Sequence, residues 1–227
     1  MGTPANHRVG GAVPTSSNVN TVRTSPVWNW CSAGKLRTKR PGLFAQFAQE
    51  NIVIDPTNAD WRVVAGFAYT QLGQYERAAD QFQHAVRISP DDISAWNLLA
   101  QSYRAMGQPE RAIRTLDSAL RINQDSPVTY FLLGESFSDL KRYDRAVGFY
   151  EQALQRNPQF AEAVFGAGVA YARLGRRAEW EIAVQQLRKM NPPLAERLAS
   201  LPPQAPRAAP ATAGGVPDLP TERRSPK

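Results

Sequence analysis

The residues that most constrain this chain recur every 34 positions. Ala78-x3-Phe82-x2-Ala85 is followed by Ala112-x3-Leu116-x2-Ala119 and then by Ala146-x3-Tyr150-x2-Ala153. Ahead of each trio stand Tyr69 and Gly73, Tyr103 and Gly107, then Phe137 with Lys141 in the glycine place. A fixed period of this length is expected of stacked supersecondary units, each packing on its neighbours, and not of one closed core.

The spacing of small residues predicts two antiparallel helices per unit. Small side chains at positions 8, 20 and 27 of each unit let backbones approach, and large ones at 4, 7, 11 and 24 fill the space between. Turn signals fall between the helices at Leu72-Gly73-Gln74, Met106-Gly107-Gln108-Pro109 and Leu174-Gly175-Arg176. Ser126-Pro127 places a capping residue before a proline at a first helical position. This pattern resembles the tetratricopeptide repeat, Trp-x2-Leu-Gly-x2-Tyr, then Ala-x3-Phe-x2-Ala, then Pro. The copies span 59–92, 93–126, 127–160 and, in degenerate form, 161–194. Trp96, Leu99-Ala100 and Leu133-Gly134 match the first half of the pattern, and Trp61 sits one place early. In the fourth copy Trp180 and Leu187 replace small alanines, so the packing there must differ. The resemblance implies an all-α, right-handed superhelical solenoid of helix-turn-helix repeats.

Residues 43–58 bring back an apolar periodicity (Leu43, Phe44, Phe47, Ala48, Ile52, Ile54) and end in Asp55-Pro56, one period before Pro90. They read as the second helix of an earlier repeat whose first helix is missing or degenerate, covering the face of the first full repeat. Residues 195–201, with Leu194-x3-Leu198-x2-Leu201, read as a cap at the other end. Residues 1–42 lack apolar periodicity and read as a disordered basic segment, with Lys35-Leu36-Arg37-Thr38-Lys39-Arg40 as a solvated run. Trp28 and Trp30 beside Cys31 read either as a docking motif or as the product of a misassigned start. Residues 202–227, rich in Pro and Ala, read as a disordered tail.

Of the formal net charge of +7, only +1 belongs to residues 59–201. The repeats therefore carry no basic footprint, and nucleic acid is not expected as their partner. No stretch approaches the roughly 18 apolar residues of a membrane span, and the first residues lack the apolar core of a secretory signal. A cytoplasmic location is expected on that reading, although a start placed too late would hide a signal.

Chemistry finds little to work with. The two histidines, His7 and His84, lie far apart, and Cys31 has no base positioned beside it. No metal site, cofactor or catalytic residue is expected, and the chain reads as no enzyme. Gly166-x-Gly168 lies inside a helix and reads as a close-packing pair.

What remains is a surface. In tetratricopeptide arrays the first helices line a concave groove, and the resemblance carries its positions onto Val63, Phe67 and Thr70 in the first repeat. Asn97, Gln101 and Arg104 follow in the second, Phe131, Glu135 and Ser138 in the third, and Phe165, Val169 and Arg173 in the fourth. Phe67, Phe131 and Phe165 are expected to stand exposed as contact residues for a helical or extended segment of another protein. Family members that clamp acidic chaperone tails use Lys, Arg and Asn at places held here by Val63, Phe67, Leu98, Val128 and Leu132, so that partner is not expected. The function expected is a non-enzymatic protein–protein interaction scaffold. Alternatives are a secretion, pilus or envelope assembly factor or holding chaperone, and an accessory module to an enzyme or RNA-associated complex; self-association is a further option.

Overall fold

The structure, a computed structural model, describes residues 40–203, and among these it contains ten α-helices and no strand. The expectations for residues 1–39 and 204–227 lie outside the described residues. The helices are α1 (Pro41–Ile54), α2 (Ala59–Gln71), α3 (Tyr75–Ile88), α4 (Ile93–Ala105), α5 (Pro109–Ile122), α6 (Pro127–Asp139), α7 (Tyr143–Arg156), α8 (Ala161–Leu174), α9 (Arg177–Met190) and α10 (Pro192–Ala199). Each packs mainly on the helices before and after it, which makes the fold an all-α solenoid.

Local chemistry marks both ends of the pairs. Asn58, Asp92 and Ser126 cap α2, α4 and α6 by accepting hydrogen bonds from backbone amides of the first turn. Pro41, Pro109, Pro127 and Pro192 open their helices, where no backbone donor is needed. Helix α1 thus begins at Pro41, so Pro41 and Gly42 are helical and do not extend the unstructured segment expected to run to residue 42.

Between the two helices of each pair one residue turns left-handed, at φ of 71°, 70° and 73° for Gly73, Gly107 and Gly175 and 59° for Lys141. Amides just beyond these residues donate back to Tyr69, Tyr103, Phe137 and Tyr171, closing the helix end. Lysine at that φ costs on the order of 1 kcal/mol relative to glycine.

The core repeats with the sequence. Ala78, Ala112, Ala146, Ala85, Ala119 and Ala153 have no exposed surface, and Phe82, Leu116 and Tyr150 lie among them. Volume is matched across each pair. A methyl on Gly66 would lie 2.6 Å from the Phe82 ring, and one on Gly134 would lie 2.6 Å from Tyr150. In the second repeat the larger Ala100 goes with the smaller Leu116.

The fourth repeat departs from this rule. Trp180 is only half-buried, and its indole N–H is buried without a partner. Gly168 faces Leu198 of α10 and Ala183 instead of a large side chain at position 24. A second cluster (Val164, Ala183, Val184, Leu187, Ala195, Leu198) closes this end. Leu198 is fully buried there, whereas Leu201, expected to join the cap, is 41% exposed because the helix has already ended at Ala199.

Candidate partner-binding groove

The first helices of successive pairs touch one another, α2 with α4, α4 with α6 and α6 with α8, and the second helices approach less closely. Curvature follows: α2, α4, α6 and α8 lie on the inner side. The inner face is where the anticipated groove residues have to be judged.

Three of them are not available at the surface. Val63, Phe67 and Asn97 are buried, at 7%, 8% and 6% exposure. The expectation that Phe67 stands exposed is corrected: the side chain is buried. Asn97 accepts a hydrogen bond from the Thr129 hydroxyl at 3.0 Å, tying α4 to α6. Thr70 donates to the Gly66 carbonyl, and the Ser138 hydroxyl lies 3.2 Å from that of Tyr150, so both are held internally.

The other seven reach the surface in different degrees. Phe131 is half-buried, its ring 5.0 Å from Phe160 and 6.0 Å from Tyr150. Phe165 is half-buried under the Arg197 guanidinium, 5.0 Å above its ring, so α10 covers part of what was expected to be free. Val169 and Glu135 are half-buried, and Gln101 and Arg173 are exposed.

Arg104 organises the centre. Its guanidinium donates to Glu135 at 2.6 Å and to Asp139 at 2.8 Å, joining the second repeat to the third. Burial works against this charge, but the hydrogen bond to Asp139 and the charges of Glu135 and Asp139 outweigh it and raise the Arg104 pKa. Two carboxylates against one guanidinium leave the local net charge at −1. Beside them opens a cleft of about 560 Å³, lined by Gln101, Arg104, Ala105, Gly107, Pro109 and Asp139.

Reasoning from sequence named Arg104 and Glu135 but missed Asp139 and Arg197. A signal for Asp139 was present, since Arg104 and Asp139 carry opposite charges one period plus one residue apart on successive first helices. Arg197 had no comparable signal, because α10 does not follow the repeat. His84 is exposed. No group of metal-binding side chains occurs among the described residues.

Family models match the repeated part of the chain. A tetratricopeptide repeat model matches residues 44–101 and 70–134, and a second matches residues 131–195. The chain belongs to the tetratricopeptide repeat family. No curated protein matches it significantly. Among solved structures it is similar to YrrB, described as a tetratricopeptide repeat protein with an unusual peptide-binding site, at 23% identity over 69% of this chain and 82% of that one, with a TM-score of 0.56. It is similar to MamA at 20% identity over 78% and 98%, with a TM-score of 0.57. A thermophilic repeat protein of Thermus thermophilus matches at 19% identity over 69% and 88%, with a TM-score of 0.60. Likeness at these identities establishes the tetratricopeptide fold alone.

Proposed function

We propose that this tetratricopeptide repeat protein is a scaffold that holds a segment of another protein against the inner face, centred on the cleft between the second and third repeats. The observation that carries the reading is the cleft itself, lined by exposed Gln101 and by Arg104 and Asp139, with Glu135 paired to the same guanidinium. The partner segment that suits this surface is an apolar strand or helix carrying a basic residue, because the cluster has one carboxylate more than it has cations. An acidic tail does not suit it. The peptide-binding site of the structurally similar YrrB is consistent with a peptide-sized ligand. The mechanism is non-covalent: a preformed surface orders a partner segment and holds its owner in an assembly.

The test is a peptide-display selection on the full chain, followed by affinity measurement with Gln101→Arg, an exposed position in the cleft lining where an added cation repels a basic segment and spares the core. Selected peptides should bind the variant at least about tenfold more weakly, a difference of about 1.4 kcal/mol. They should bind an outer-face control, His84→Glu, as they bind wild type. Equal binding to all three proteins, or no selected peptide, refutes the groove reading.

A further inference from the structure

Helix α1 is apolar on two sides, unlike the helices that play its part in later repeats. One side, with Ala45, Ala48 and Ile52, is buried where α1 packs on α2. On the other, Leu43 is 56% exposed, Val53 82% and Ile54 71%. One and two periods later, exposed arginines hold the places of Leu43 and Val53: Arg77 and Arg87 in α3, Arg111 and Arg121 in α5. A helix that is apolar all round is expected to be covered all round.

The outer side has an order of its own. Leu43, Phe47, Glu50 and Ile54 follow at intervals of four, three and four residues, the spacing of one seam of a coiled coil. Phe47 is half-buried, its ring edge-on to Trp61 at 5.5 Å. Glu50 is exposed and accepts a hydrogen bond from the Gln46 side chain at 3.1 Å. This seam complements itself when a second α1 runs the opposite way. Leu43 of each then meets Ile54 of the other, and Phe47 meets Glu50, because both pairs are centred between Ala48 and Gln49.

Charge selects the same direction. Helices α3, α5, α7 and α9 each carry an acidic residue in the first turn and a basic residue in the last, as their own dipoles favour. Helix α1 has neither. It has Arg40 at its N-cap and Asp55 at its C-cap, the reverse order. An antiparallel neighbour makes that order favourable, since Arg40 of each copy then lies near the C-terminal end and Asp55 of the other. The far end of the array offers no equivalent seam, because α10 and the cluster around Leu187 and Leu198 cover it. Like therefore meets like, and the contact closes at two copies.

We propose that α1 pairs with the α1 of a second copy, antiparallel about a two-fold axis, along Leu43, Phe47, Glu50 and Ile54. This dimer contact is separate from the groove of the inner face. Its 14 residues span about 21 Å, which places it among small, readily reversible interfaces. Glu50 weakens it further by bringing a carboxylate to the seam from each side.

Sedimentation velocity on the full chain, from about 5 μM to about 1 mM, should show a reversible monomer–dimer equilibrium. Ile54→Asp changes an exposed side chain and should weaken dimerisation at least about tenfold, with helix content held by circular dichroism. Glu50→Leu should strengthen it at least about tenfold. Arg40→Glu should weaken it about threefold, and adding Asp55→Lys should restore it, because the exchange keeps opposite charges paired between copies. A wild type that stays monomeric at about 1 mM overturns the proposal and leaves the seam to another occupant. Assembly beyond dimers overturns it as well, as does an equilibrium that neither Ile54→Asp nor Glu50→Leu shifts. A charge exchange that fails to restore pairing overturns the antiparallel arrangement.

Discussion

Two glycines on neighbouring helices should respond in opposite directions to the same added methyl. Gly134 in α6 faces Tyr150, where a Cβ would lie 2.6 Å from Cε1 and 2.7 Å from Cδ1. Carbon atoms in good contact stand about 3.5–4.0 Å apart, so the ring would have to retreat by roughly 1 Å. It has nowhere to go. On its other side a Cβ at Gly166 would also lie 2.6 Å away, and Tyr150 is 2% exposed. Overpacking of this kind costs about 1–3 kcal/mol, against about 1 kcal/mol gained by replacing glycine with alanine in a helix. Gly134→Ala should therefore destabilise by about 1 kcal/mol. Gly148, in α7, has nothing within 4 Å of its Cβ position, and Gly148→Ala should stabilise by about 1 kcal/mol. The gap of roughly 2 kcal/mol between the two is read from urea denaturation, with hydrogen exchange across α6–α8 to localise it, because a repeat array need not unfold in one step. Tyr150→Leu in the Gly134→Ala background recreates the Ala100 and Leu116 combination of the second repeat. It should show favourable coupling of about 1 kcal/mol in a double-mutant cycle. A Gly134→Ala protein as stable as wild type, or a coupling of zero, refutes the volume-matching argument.

Lys141→Gly relieves the one non-glycine residue at positive φ among the described residues and should raise stability by about 0.5 kcal/mol, after the added freedom of the unfolded chain is subtracted; urea midpoints measure it. The inter-repeat salt link makes Arg104→Ala destabilising by about 1–2 kcal/mol, since Glu135 and Asp139 are left facing each other; 1 M salt should shrink the loss by screening them. Alkaline pH provides a further check. Burial, together with its hydrogen bond to Glu151, raises Tyr171 from 10.0 to about 12, and burial also pushes Tyr150 up. A raised folded pKa means stability fully present below about pH 10 and lost as pH rises through 12, and Tyr171→Phe should make that decline shallower in denaturation midpoints. Phe131→Asp should cost about 2–3 kcal/mol of stability, because the ring packs on Phe160 and Tyr150; a fully stable variant would place Phe131 outside the core contacts.

The 34-residue period, with alanine at positions 20 and 27 and glycine or its substitute at 15, was enough to specify an all-α solenoid of the tetratricopeptide family. Helix periodicity and turn chemistry are local, and each unit meets a near-copy of itself, so local rules propagate through the stack. The departure at Trp180 and Leu187 was legible too, as a break in the small-residue pattern. What filled the break was not legible: Leu198 takes the space before Gly168, and Arg197 covers Phe165, both from α10, which lies outside the period. The groove was legible only as a set of positions. Phe67 and Asn97 share those positions with Phe131 and Gln101, yet the first two are buried and Gln101 is exposed. A residue's place in the sequence determines which way its side chain leaves its own helix. How much solvent it then meets depends on the side chains of the next helix and on the stacking between them, and only the tertiary structure decided that.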